Sequence, residues 1–130
     1  NMERMKIKPG KNYQVFEVNP YLRIIEPEIS VIGRKVVAKF KLEQVTSNEV
    51  YRISLFAHSH IDVSNKLNIV NRTEELNRSI TDGEAFELSI NLEDYTSTLV
   101  PGKSYYFRIG AQSHGSETKY NYSASVQLDI

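Results

Sequence analysis

The sequence predicts an all-β fold, an antiparallel β-sandwich of about seven strands. Three observations lead there. Apolar residues recur at every second position in one run after another. Clusters of Gly, Pro, Asn, Asp and Ser interrupt these runs at intervals of about ten to twenty residues. No segment carries a convincing helical stripe.

Taken in order, the first clear alternation is Lys35 to Glu43, with Val36, Ala38, Phe40 and Leu42 on one face and Lys39 and Lys41 on the other. Side chains of a strand point alternately to its two faces, so the lysines meet water and the apolar set meets a core. Tyr51, Ile53, Leu55 and Ala57 alternate with Arg52, Ser54, Phe56 and His58 in a second strand. Val70 to Leu76 is ambiguous, since its Thr73, Glu74 and Glu75 admit a single helical turn. Phe86, Leu88, Ile90 and Leu92 alternate with Glu87, Ser89 and Asn91. Tyr105, Phe107, Ile109 and Ala111 alternate with Tyr106, Arg108 and Gly110. The most regular run comes last, with Tyr120, Tyr122, Ala124, Val126, Leu128 and Ile130 on one side and Asn121, Ser123, Ser125, Gln127 and Asp129 on the other.

Breakers fall where a sandwich needs turns: Ile32-Gly33-Arg34, Thr46-Ser47-Asn48, Thr81-Asp82-Gly83-Glu84, Leu99-Val100-Pro101-Gly102 and Ser113-His114-Gly115-Ser116. Lys8-Pro9-Gly10-Lys11 and Asn19-Pro20 bracket a short strand from Tyr13 to Val18. Residues 1–20 therefore read as an extension or linker strand from a preceding domain, and residues 21–130 as the sandwich. Pro9-Gly10-Lys11-Asn12-Tyr13 echoes Pro101-Gly102-Lys103-Ser104-Tyr105, which a common strand-opening turn explains without a domain repeat.

Composition narrows the function. A chain of 130 residues suits one domain, and 40% hydrophobic with 25% charged residues is globular rather than disordered. Sixteen Lys and Arg balance sixteen Asp and Glu, so no cation surplus is available for a phosphate backbone and nucleic acid is not an expected partner. The absence of Cys removes disulfides, a thiolate nucleophile and cysteine-ligated zinc, and leaves the redox compartment open. Apolar runs are too short to span a bilayer, and Asn1-Met2-Glu3-Arg4 lacks the apolar core of a signal peptide, so this chain is not expected to insert into a membrane.

The stretch Leu99-Val100-Pro101-Gly102-Lys103-Ser104-Tyr105-Tyr106-Phe107-Arg108-Ile109-Gly110-Ala111 resembles the turn into strand F of a fibronectin type III domain, a fold of the immunoglobulin-like class. In that pattern Leu99 plugs the base of the core, Pro101-Gly102 makes the corner, and Tyr105 buries its ring while its hydroxyl bonds back to the corner backbone, a tyrosine corner. Tyr122 and Ser123, followed by Ala124, Val126 and Leu128, resemble the last strand of the family, and the match extends more weakly over Ile24 to Ile130. The resemblance implies a strand A from Leu22 to Ile32, kinked at Pro27 as an edge strand tolerates. It departs at the strand B tryptophan, whose place Phe40 is best suited to take. A second stretch, Phe16-Glu17-Val18-Asn19-Pro20-Tyr21-Leu22-Arg23-Ile24, is similar to the inter-domain junction of a family of Bacteroidetes surface lipoproteins. There a carboxypeptidase-regulatory-like domain precedes the sandwich. That resemblance implies polysaccharide utilisation, a place at the cell surface or in the periplasm, and outer-membrane anchoring through a lipidated segment upstream of Asn1.

Catalytic chemistry finds little to stand on. His58 and His60 share a strand face and could hold a metal only with a third ligand, for which Asp62 is the near candidate. In the type III topology His114 belongs at the opposite pole. Glu74-Glu75, Glu93-Asp94 and Asp82 with Glu84 are not placed across a cleft as a glycosidase pair requires. Asp82-Gly83-Glu84 has too few oxygens for a calcium loop, and neither a Gly-x-Ser-x-Gly elbow nor a Gly-rich phosphate loop is present. Sequons at Asn71, Asn77 and Asn121 carry meaning only in a eukaryotic secretory pathway. No enzyme, metal or cofactor is expected.

What remains is a surface. Strands C and F are neighbours in the implied fold, so Phe56, Tyr106 and Arg108 are expected to share the exposed face of one sheet, with His58 at its rim. Such an aromatic platform suits a sugar ring, a partner side chain or a neighbouring domain. The alternative is that Phe56 and Tyr106 stabilise the sheet or are covered by the N-terminal strand. The expected function is a non-catalytic module of a bacterial cell-surface protein that binds polysaccharide or positions a neighbouring surface protein. The alternative function is a structural spacer or a protein-protein adhesion module.

Overall fold

The computed structural model describes residues 22–44, 48–114 and 120–130. The expected extension over residues 1–20, with its strand from Tyr13 to Val18, lies outside the described residues, as do parts of two predicted turns.

Strands β1 (Leu22–Ile32), β2 (Lys35–Gln44) and β5 (Glu84–Asn91) form one antiparallel sheet in the order β1-β2-β5. The second sheet runs β4 (Val70–Arg78), β3 (Val50–His58) and β6 (Ser104–Ser113), and β7 (Tyr120–Tyr122) and β8 (Val126–Asp129) both pair with β6. The two sheets enclose one core, making the antiparallel β-sandwich the alternation predicts. Val36, Ala38, Phe40 and Leu42 of β2 face Ile53, Leu55 and Ala57 of β3 and Phe107, Ile109 and Ala111 of β6 across it, all buried. Phe40 packs beside Phe86 with ring centroids 5.9 Å apart. Burying side chains of this size removes apolar surface from water at about 25 cal/mol per Å2, the main force holding the two sheets together.

β1 is an edge strand bounded as the sequence implies. Around Pro27, which has no N–H to give a ladder, its register with β2 shifts between Ile25 and Glu28, and Glu26 takes φ of 52°. After β5 the chain makes one 3-10 turn, Leu92–Tyr95, whose first free N–H, that of Glu93, is capped by Asn91 Oδ1 at 3.1 Å. Leu99 is fully buried, Gly102 adopts φ of 87° after Pro101, and the Tyr105 hydroxyl accepts the N–H of Val100 at 2.9 Å. Tyr105 is therefore interior and Tyr106 exterior, which sets the phase of all of β6.

One ambiguity is resolved and two expectations are corrected. Val70–Leu76 is strand, not a helical turn, because pairing with β3 supplies the backbone bonds that a lone turn lacks. Its polar sequence keeps this sheet edge from recruiting another strand. Tyr51 does not enter the core. A register shift between Val50 and Arg52 lets Val50 fill that place and turns Tyr51 out against His114, ring centroids 4.6 Å apart. The C-terminal run is two strands of opposite phase. Between the pairs Gly110–Tyr122 and Phe107–Val126, β6 advances three residues and its partner four. The extra residue sends Tyr120 and Tyr122 to the outer face while Val126, Leu128 and Ile130 pack against the core.

Candidate functional site

The outer face of the five-stranded sheet is set by the inward choice of Leu55, Ala57, Tyr105 and Phe107. Arg52, Ser54, Phe56 and His58 of β3 point away from the core, beside Gln112, Gly110, Arg108 and Tyr106 of β6. The register pairs Phe56 with Arg108 and His58 with Tyr106. The structure thus brings all four predicted site residues onto one face, but in unequal states.

Phe56 is not exposed. Only 3% of it meets solvent, because β7 lays Tyr120 and Tyr122 over it, with ring centroids 5.6 and 6.2 Å away. Gly110 makes the room. A Cβ there would sit 2.8 Å from Phe56 Cε2 and 2.9 Å from Tyr120 Cδ1, closer than side chains tolerate. Among the described residues the covering of Phe56 comes from β7; the alternative of covering by the N-terminal strand falls on residues outside those described.

A ladder of rings and cations results. Tyr120 and Tyr122 stack on each other at 5.7 Å, with 19° between their planes. The Arg108 guanidinium lies 4.7 Å from the centre of the Tyr122 ring, and that of Arg52 lies 5.5 Å from Tyr120 and 4.8 Å from Tyr51. Each such cation–π contact contributes about 0.5 to 2 kcal/mol, depending on desolvation. Hydrogen bonds hold the guanidiniums in place: Arg52 Nε donates to Gln112 Oε1 at 2.9 Å, and Arg108 Nε donates to the Ser123 carbonyl at 2.7 Å. Ser54, buried beneath, shares a hydrogen bond with Thr73 Oγ1 at 3.0 Å.

The connection between β3 and β4 folds onto one end of this ladder. Arg108 Nη1 donates to the Val63 carbonyl at 3.3 Å, the Tyr122 hydroxyl donates to Asn65 Oδ1 at 2.7 Å and accepts the Asn65 N–H at 3.1 Å, and Ser125 Oγ donates to the Ile61 carbonyl at 2.6 Å. Val63 is fully buried as a result. Burial pushes the Tyr122 phenol above the ordinary tyrosine range. Arg108 is therefore half-buried and tied, not the freely exposed cation expected from sequence.

Tyr106 is different. It is half-exposed, directly across from His58, and enters no ring stack or side-chain hydrogen bond among the described residues. His58 accepts the His60 N–H at Nδ1, 3.0 Å, and His60 in turn accepts the Asp62 N–H at 3.1 Å. His114 lies at the other end of β3, its Nε2 2.7 Å from Asn77 Oδ1, so the three histidines do not converge. Among the described residues no group of three His, Asp or Glu is placed to hold a metal ion. Of the carboxylates, Glu84 is engaged by Arg78 at 2.7 and 3.2 Å.

Sequence reasoning placed Arg52 and Gly110 on this face by alternation without giving them a role, and missed Tyr120 and Tyr122 as members of it. Gly110 was the available signal, since a glycine inside a strand of large residues marks a close approach.

The two antiparallel sheets define the chain as a β-sandwich, with an aromatic cluster on the outer face of the five-stranded sheet. The chain belongs to the DUF3823_C family, a domain of unknown function, whose model matches residues 22–127. It is similar to a provisionally assigned carbohydrate binding protein from Bacteroides uniformis, at 28% identity and a TM-score of 0.80, over 99% of this chain and 66% of that one. Two DUF3823 family proteins share the fold: one from Parabacteroides merdae at 20% identity and a TM-score of 0.73, covering 99% of this chain and 59% of that one, and one from Bacteroides ovatus at 16% and 0.72, covering 98% and 61%. The chain thus spans less than two thirds of the length of these relatives. No curated protein matches it.

Proposed function

We propose that this chain is a non-catalytic, fibronectin type III-like module of a bacterial cell-surface protein that binds glycan on the outer face of its five-stranded sheet. The observation that carries the reading is Tyr106: a half-exposed ring with no ring stack or side-chain hydrogen bond among the described residues, set between His58 across the strand and Arg108 two residues on. An aromatic face beside fixed donors suits the apolar side and hydroxyls of a sugar. The name of the Bacteroides uniformis relative supports the same ligand class. The resemblance of the Phe16 to Ile24 junction to surface lipoproteins supports reading residues 1–20 as an extension or linker strand from a preceding domain, and outer-membrane anchoring in the full-length protein.

Retention on polysaccharide affinity gels tests this. Wild type is expected to be retarded on at least one gel and Tyr106→Ala to lose the retardation with its melting temperature unchanged. Equal retardation of the two proteins overturns the site. A second reading, a structural spacer, is favoured by the closed Phe56 cluster, in which both β7 tyrosine hydroxyls are spent on internal hydrogen bonds. It expects no retardation of either protein on any gel.

A further inference from the structure

A separate recess of about 330 Å3 lies where the start of β2, the end of β5 and the edge strand β4 come together. It is at the small end of ligand pockets, which run from about 300 to 1,000 Å3. Its lining includes Lys35, Arg72, Asn91, Asp94 and Tyr95.

Four local features assemble it. Lys35 and Asn91 are directly paired across β2 and β5. Asn91 caps the 3-10 turn, and that turn carries Asp94 and Tyr95 outward. Arg72 is paired with Leu55 and so leaves β4 on the core-facing side, yet it is exposed, because among the described residues no strand lies beyond β4 and the side chain lines the recess. Tyr95 is 36% exposed.

The charges in this recess are not used internally. Arg72 makes one long hydrogen bond, Nη1 to the Thr73 carbonyl at 3.4 Å, and Lys35, Arg72 and Asp94 enter no ion pair among the described residues. An inward-pointing charge on an edge strand discourages strand pairing, which accounts for Arg72 alone. It leaves Lys35, Asp94 and an exposed tyrosine in the same recess unexplained.

We infer that this recess binds one acidic sugar unit, a hexuronate. Two cations match the sugar carboxylate, the Asp94 carboxylate accepts from neighbouring hydroxyls, the Asn91 amide adds a donor, and the Tyr95 ring meets the C–H face. With Asp94 beside them, Lys35 and Arg72 leave an excess of positive charge in the recess that a neutral sugar does not meet. A compact dianion such as phosphate offers Asp94 no neighbouring hydroxyls and gives Tyr95 no C–H face to cover. The inference rests on the glycan reading above but on different residues.

The test is an amide NMR titration of the 130-residue chain with a glucuronate-terminated disaccharide, its glucose-terminated counterpart and inorganic phosphate. The acidic disaccharide is expected to give saturable shifts at Arg72 and over Asn91 to Tyr95, with the neutral one about tenfold weaker or worse. Lys35→Ala with Arg72→Ala is expected to abolish that preference, and Tyr95→Ala to weaken binding, both at unchanged melting temperature. Equal shifts from the two sugars, equal shifts from phosphate, or an unaltered preference in the double variant overturns the inference. Tyr106→Ala leaves these shifts in place, so failure of the outer-face site and failure of this recess are separately visible.

Discussion

Gly110 and Phe56 approach so closely that a side chain at position 110 would force the neighbouring rings to move: a Cβ on Gly110 would lie 2.8 Å from Phe56 Cε2. The same added atom would meet Tyr120 at 2.9 Å and Tyr122 at 3.3 Å, so the backbone of β6 is the floor of the aromatic cluster. Because φ at Gly110 is ordinary for a strand, the requirement is for space and not for backbone freedom.

Gly110→Ala is accordingly expected to destabilise the domain by about 1 to 3 kcal/mol, the range for overpacking a closed site. Urea unfolding measures it. A change within a few tenths of a kcal/mol would mean that the rings give way freely and that the cluster is loosely held.

Tyr105→Phe keeps the buried ring and removes only the acceptor for the Val100 N–H. A loss of about 1 kcal/mol is expected, within the usual net worth of such a bond and the cost of a donor left unmet. Tyr106→Phe, one residue on but facing out, is the control and should leave stability alone.

The Arg78 guanidinium, hydrogen-bonded to Glu84, holds the Glu84 carboxyl below the ordinary carboxylate range, with the Thr81 N–H at 3.1 Å adding to the effect. A carboxylate with a lowered folded-state pKa contributes stability above its unfolded value and loses it as pH falls through the folded one. The Glu84 carboxyl carbon is therefore expected to titrate in NMR at lower pH in wild type than in Arg78→Ala. Identical midpoints would show that the pair is open in solution.

Tyr122→Phe removes the hydroxyl that both donates to and accepts from Asn65. The connection between β3 and β4 should then open more readily, with faster amide hydrogen exchange at Asn65 and its neighbours and unchanged exchange in β2. In wild type the half-buried phenol of Tyr122 ionises late, so the stability it contributes is present below the unfolded tyrosine pKa and is lost as pH rises through the folded one.

Much of this architecture is legible in the chain itself, because strand phase is a local property. The alternation in Lys35 to Glu43 and Tyr105 to Ala111 states which side chains face the core, and the corner of Leu99, Pro101 and Tyr105 states where one strand begins. Tyr106 facing out follows from Tyr105 facing in. The same reasoning misled at Tyr51 and at Tyr120 and Tyr122, where a single unpaired residue reverses the phase.

The sequence by itself determined the sandwich, most of its core and, with the adjacency of strands C and F that the resemblance implies, the face on which Phe56, His58, Tyr106 and Arg108 would meet. Only the tertiary structure decided that Phe56 is roofed by Tyr120 and Tyr122 while Tyr106 stays half-exposed among the described residues, and that Arg72 and Tyr95, more than twenty positions apart in the chain, line one recess. The reason is physical: alternation fixes a side chain's direction relative to its own strand, whereas a bulge and an edge depend on which strand lies next to it, and on whether any strand does.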